Sequence, residues 1–106
     1  MTSDEVRALV EKAINGNWSE TNLHHVDLKK CLVAPKKERF RNTFPKYKKG
    51  RSLSLWIVLD ERPATGDGYL IIFDEETGKF GLGTKDAEGY VFGGFYGDFW
   101  TTFHGM

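Results

Sequence analysis

Between Ser52 and Glu61 the chain places Leu53, Leu55, Ile57 and Leu59 at alternate positions, with Ser54, Trp56, Val58 and Asp60 between them. Successive side chains of an extended strand point to opposite faces, so one face of this run is fully apolar and must lie against a core. A loop over Pro63 to Gly68 returns the chain into Tyr69 to Asp74, and Glu75-Glu76-Thr77-Gly78 turns it into Lys79 to Thr84. Apolar runs of this length separated by turn residues predict an antiparallel meander. In its third run Phe80 and Leu82 alternate with Gly81 and Gly83. One face there carries side chains and the other is bare backbone, which weakens a strand unless something packs close. A large aromatic from elsewhere, such as Trp100, is the expected cover.

Helices are predicted at both ends. Thr2 followed three residues later by Glu5 is a capping box, in which hydroxyl and carboxylate each satisfy a backbone N–H. Val6, Leu9, Val10, Ala13 and Ile14 then fall on one helical face, and Gly16 supplies the stop. Residues 17–27 read as loop with a short helical turn. Leu28 to Phe44 gives a mixed signal: Cys31, Leu32 and Val33 suggest a strand, Pro35 lacks a ladder donor, and the segment is expected to be an irregular edge strand. Tyr90 to Phe92 is a short strand. Asp98 is suited to cap a final helix carrying Phe99, Trp100, Phe103 and His104, with Gly105 after it. The expected fold is therefore α+β over 1–106 as a single domain. It has an N-terminal helix, an antiparallel meander sheet of about four strands, and a short C-terminal aromatic helix packed on the sheet.

At 106 residues, with eight Phe, four Tyr and three Trp, the chain can close one core but not two. Its longest apolar runs fall well short of the roughly 20 residues that cross a bilayer. The first residues lack the basic start and apolar stretch of a secretory signal, so the cytoplasm is the expected location and no membrane partner is expected. Cys31 is the only cysteine, which leaves neither an internal disulfide nor a cysteine-based zinc site.

The formal charge of zero hides a segregation along the chain. Residues 1–28 hold five acids and two bases, 29–51 hold one and ten, and 52–106 hold nine and three, giving segment charges of −3, +9 and −6. The basic segment interleaves its lysines and arginines with Phe40, Phe44 and Tyr47. Cations with aromatics are what a nucleic-acid groove uses for phosphates and bases. Arg and Tyr also supply hot spots for an acidic protein partner, and charge speeds association. In a third reading, lysines and arginines on an exposed edge discourage aggregation and lie beside acids of the C-terminal half.

Catalytic patterns are missing. No Gly-x-Ser-x-Gly elbow is present, and His24 and His25 are adjacent, a spacing that keeps both from one metal centre on a regular strand. Asp60/Glu61 and Asp74/Glu75/Glu76 sit at strand ends where acids solvate turns. Gly81-x-Gly83 and Gly93-Gly94-x-x-Gly97 lack the full dinucleotide-binding spacing. No catalytic residue, metal or cofactor is expected. A small ligand lined by Trp56, Tyr69, Tyr96 and Trp100 competes with the plainer view that these rings fill the core.

The stretches Leu55 to Pro63 (LWIVLDERP), Gly68 to Leu82 (GYLIIFDEETGKFGL) and Gly94 to Met106 (GFYGDFWTTFHGM) cover about half the chain. They resemble a family of small bacterial proteins that are similar to the immunity proteins of polymorphic toxin systems in size and in lack of catalytic motifs. The resemblance implies a non-catalytic binding protein that neutralises a toxin by direct contact, and carries no functional residue to this sequence. The residues themselves point to Lys37, Arg39, Arg41, Lys46, Tyr47, Lys48, Lys49 and Arg51 as the contact surface. The alternative is a nucleic-acid-binding module using the basic segment 29–51.

Overall fold

The computed structural model describes residues 1–42 and 52–106. Its elements run α1 (Ser3–Ile14), α2 (Leu28–Cys31), β1 (Leu32–Asn42), β2 (Ser52–Asp60), β3 (Leu70–Asp74), β4 (Lys79–Asp86), β5 (Gly89–Gly97) and α3 (Phe99–His104). Each strand pairs antiparallel with the next, and β5 closes a barrel onto β1 through a parallel pairing of Tyr90–Phe92 with Phe40–Asn42. The α+β class and the meander are as expected, with five strands instead of about four.

Both helices begin as the sequence predicts. The Thr2 hydroxyl accepts from the Glu5 N–H at 3.2 Å while a Glu5 carboxylate oxygen accepts from the Thr2 N–H at 2.9 Å. The Thr2 backbone N–H, and after it the Thr2 hydroxyl, hold the Glu5 carboxyl below its usual range. Asn15 takes the left-handed conformation first, at φ 51°, and Gly16 follows it at 81°. Asp98 caps α3 by accepting from the Thr101 N–H at 2.7 Å.

The sheet is buried on two sides. Phe40, Leu55, Ile57, Leu70, Ile72 and Phe92 fill the barrel. Trp56, Val58, Ile71, Phe73, Phe80 and Leu82 face outward into a second core with Val6, Val10 and Ile14 of α1 and Phe99 and Phe103 of α3. Every residue of β3 is therefore buried, which is what a continuous apolar run without alternation encodes. Leu59 departs from the expected alternation. A bulge shifts the register between Ile57↔Ile72 and Leu59↔Ile71, and this carries Leu59 to the outer core beside Val58.

The segment expected as an irregular edge strand is a wall of the barrel. Asp27 caps α2 by accepting from the Lys29 and Lys30 N–H groups, so Cys31 ends a helical turn and does not start a strand. β1 then pairs with β2 on one side and, from Phe40, with β5 on the other. Pro35 is accommodated because the β1–β2 register shifts between Leu32 and Lys36, where no ladder donor is needed.

The bare face of β4 is covered by Phe40 and by the β5 backbone, not by Trp100. A Cβ on Gly83 would stand 2.7 Å from the Phe40 ring, and one on Gly81 would stand 2.3 Å from the Gly94 carbonyl oxygen. Trp100 lies outside the barrel, its Nε1 donating to the Ala13 carbonyl at 3.0 Å.

Gly83→Ala should cost about 1–3 kcal/mol from overpacking, and Gly81→Ala more, because its obstacle is backbone that cannot rotate away. In urea melts, Phe40→Leu should recover part of the Gly83→Ala loss and none of the Gly81→Ala loss. Strict additivity in both pairs would contradict this packing.

Candidate binding surface

Alternation along β1 sends Phe40 and Asn42 inward and Lys37, Arg39 and Arg41 outward, with Phe40 and Asn42 buried and all three cations exposed. On β2 their neighbours are Trp56, Ser54 and Ser52 in that order. The predicted contact residues Lys37, Arg39 and Arg41 thus form one row on the barrel exterior. Lys46, Tyr47, Lys48, Lys49 and Arg51 lie outside the described residues.

Two of the three cations are held by acids from the C-terminal half. Lys37 Nζ lies 2.5 Å from Glu75 Oε1 and 5.7 Å from the centre of the Trp56 ring. The Trp56 indole N–H donates to the same carboxylate at 3.2 Å, and the amino group of Met1 lies 2.7 Å from its other oxygen. Lys37 first, then the amino group and the indole, bring the Glu75 carboxyl down to about 2. Arg41 reaches Glu88 at 3.2 Å and also pairs with Asp86. The Glu88 backbone N–H, and after it the Arg41 guanidinium, hold the Asp86 carboxyl below its usual range. Arg39, between them, makes no ion pair among the described residues.

Exposed pairs of this kind contribute about 0–1 kcal/mol each. Their larger effect is on the field: the segregated charges of the sequence are folded against one another, so the row becomes a mixed-sign surface around Arg39.

A second arrangement has no signature in the sequence. Asn22 is buried, its Nδ2 donating to the Phe103 carbonyl at 2.8 Å and its Oδ1 accepting from the His24 N–H at 3.0 Å and the Val26 N–H at 3.3 Å. This anchors the 17–27 loop and sets His24 Nδ1 2.7 Å from Glu61 Oε2. The other Glu61 oxygen accepts from the Tyr69 N–H at 3.0 Å. Together with Arg62, Asp67 and Thr84 these residues line a cleft of about 630 Å³. His24 and Glu61 are 37 positions apart, and only the fold joins them.

The histidines do not gather with acids into a metal centre: Asp27 is committed to capping α2, and no group of three metal-ligating side chains occurs among the described residues. Nor do Trp56, Tyr69, Tyr96 and Trp100 share a pocket. Trp56 bonds to Glu75 on the β1 side, Tyr69 lines the His24 cleft, Tyr96 packs on Gly105, and Trp100 bonds to α1. Cys31 is buried, its thiol pushed up by burial and 3.6 Å from the Glu61 carbonyl. No described helix is long and apolar enough to cross a membrane. No family model matches the chain, and neither a curated protein nor a solved structure matches it.

The Glu75 network makes a pH prediction. A carboxyl whose folded value lies at about 2 against an ordinary 4.5 adds stability that is complete above about pH 4.5 and lost as pH falls toward 2. Thermal melts of Glu75→Gln should therefore lie below those of the parent at neutral pH and converge with them across that window. A gap that stays constant down to the lower limit would refute the network.

Proposed function

We propose that this chain is a non-catalytic binding protein that meets a protein partner through the outer face of β1 and the adjoining start of β2 at Ser52 and Ser54. The observation that carries this reading is the pairing of Lys37 with Glu75 and of Arg41 with Asp86 and Glu88 around Arg39. A groove for a phosphate backbone works through uncompensated cations that displace the counterions condensed on the nucleic acid, and two of the three cations in this row are already compensated. A fixed surface of both signs around an exposed arginine suits a protein, where Arg acts as a hot spot and charge pattern selects the partner. The resemblance of segments 55–63, 68–82 and 94–106 to a family of small bacterial proteins that are like immunity proteins in size and in lack of catalytic motifs suggests the partner: a toxin whose active site or substrate groove this face covers.

The nucleic-acid reading keeps one observation in its favour, since Lys29, Lys30 and Arg39 carry no carboxylate partner among the described residues. The two readings separate in one set of measurements. The protein reading expects a toxin encoded beside this gene to be inhibited by the purified chain, with affinity falling at least about tenfold on Arg39→Glu. It also expects a fluorescent generic oligonucleotide to show no binding at low salt. Oligonucleotide affinity that drops steeply with salt, with no inhibition of any neighbouring toxin, would replace it with the alternative.

A further inference from the structure

We propose that the mouth of the barrel between β1 and the β4–β5 hairpin binds a small organic anion with an apolar body, an aryl or branched aliphatic carboxylate. The opening follows from how the barrel closes. β5 pairs with β1 only over Phe40–Asn42, and among the described residues no strand pairs with that edge of β1 ahead of Phe40. Val33 and Lys36 therefore stand apart from Lys85 and Tyr90 across a cavity of about 370 Å³. The loop at 63–66 forms its lip.

Its floor belongs to the barrel interior. Ile57 and Leu70 are inner-core residues only 6% and 3% exposed, and Val33 and Tyr90 pack against the same core. An apolar floor at a barrel mouth, with a few polar groups on the rim and a volume within about 300–1,000 Å³, is the usual form of a small-molecule site.

The rim supplies the charge preference. Lys85 Nζ stands 5.4 Å from the centre of the Tyr90 ring and has no carboxylate partner among the described residues. The ring face attracts the ammonium and keeps it above the wall of the cavity. Lys36 reaches Glu38 at 3.5 Å with its side chain 68% exposed, a loose pair that leaves it able to turn inward. Among the described residues that line the cavity Asp60 is the one acid, and its Oδ1 already accepts from the Arg62 N–H at 3.0 Å. A carboxylate between the two ammonium groups, with its apolar body against Ile57, Leu70 and Tyr90, satisfies both parts of the lining. Lys36 points to the opposite face of β1 from Lys37, so this site is separate from the proposed protein-binding face.

Phenylacetate and its neutral counterpart phenylacetamide test the idea by amide-resolved NMR titration of the full chain. Phenylacetate should shift the amides of Val33, Ile57, Leu70, Lys85 and Tyr90 saturably and bind at least about tenfold more tightly than phenylacetamide. The double variant Lys36→Gln with Lys85→Gln should erase that preference, and Ala34→Trp, at an exposed rim position, should block both probes while the spectrum stays dispersed. The proposal is overturned by shifts that do not saturate or that centre on Lys29 and Lys30. Equal binding of the two probes, or a charge preference that survives the double variant, overturns it equally.

Discussion

Five strands that alternate in direction can close into a barrel only if the last lies parallel to the first, and this closure governs the rest of the molecule. It brings Tyr90–Phe92 beside Phe40–Asn42 and so fixes where the Asp86–Gly89 turn falls, next to Arg41. It also narrows the interior on the β4 side. Gly81 and Gly83 answer that narrowing: their missing side chains let the β5 backbone and the Phe40 ring occupy the space. A barrel of so few strands has no central channel, and its interior is as wide as the side chains that fill it.

The second core decides which surface is left for recognition. α1 and α3 cover the outward faces of β2 to β4, and α1 reaches the start of β1, where Ser3 donates to the Pro35 carbonyl at 2.6 Å. Past Pro35 the helix leaves β1 uncovered, so Lys37, Arg39 and Arg41 face solvent. The exposed basic row is thus what remains of a wall whose neighbours are sealed by helices. The acids that meet it come from the hairpin ends, Glu75 in the turn between β3 and β4, Asp86 at the end of β4 and Glu88 in the turn after it, because a meander returns each hairpin turn toward the barrel rim.

Legibility from the sequence followed the range of the interactions. The Thr2–Glu5 box and the Asp98 cap are set within four residues, and both helix starts were readable. The meander was readable because its turns carry their own chemistry. β1 was readable only in part: a strand was expected there, but as an edge, because Lys37, Arg39 and Arg41 around the single large apolar residue Phe40 give no sign that β5 pairs with its other side. The short strand expected at Tyr90 to Phe92 runs on to Gly97 in β5, where Gly93 lies close against the Leu82 carbonyl and Gly94 takes a φ of 115°. Leu59 was misplaced because a bulge leaves no mark in the apolar pattern. His24 and Glu61 could not be joined from sequence at all, since their meeting depends on the buried Asn22 holding one loop against the end of another strand.

Charge segregation therefore changes its meaning between sequence and fold. Along the chain it reads as a basic block between two acidic ones; in three dimensions Lys37 and Arg41 are dipoles with their acids, and a dipole's field fades faster with distance than a lone charge's. At physiological ionic strength exposed charges are screened beyond about 8 Å, so what a partner meets is the local pattern and not the sum. Around Arg39 that pattern is a cation flanked by two neutralised pairs, while at the barrel mouth Lys85 is a cation above an apolar well. The first favours a surface that can match alternating signs across a wide contact; the second favours a single anion small enough to bring its own apolar part. One strand, β1, presents these two chemistries from its two sides.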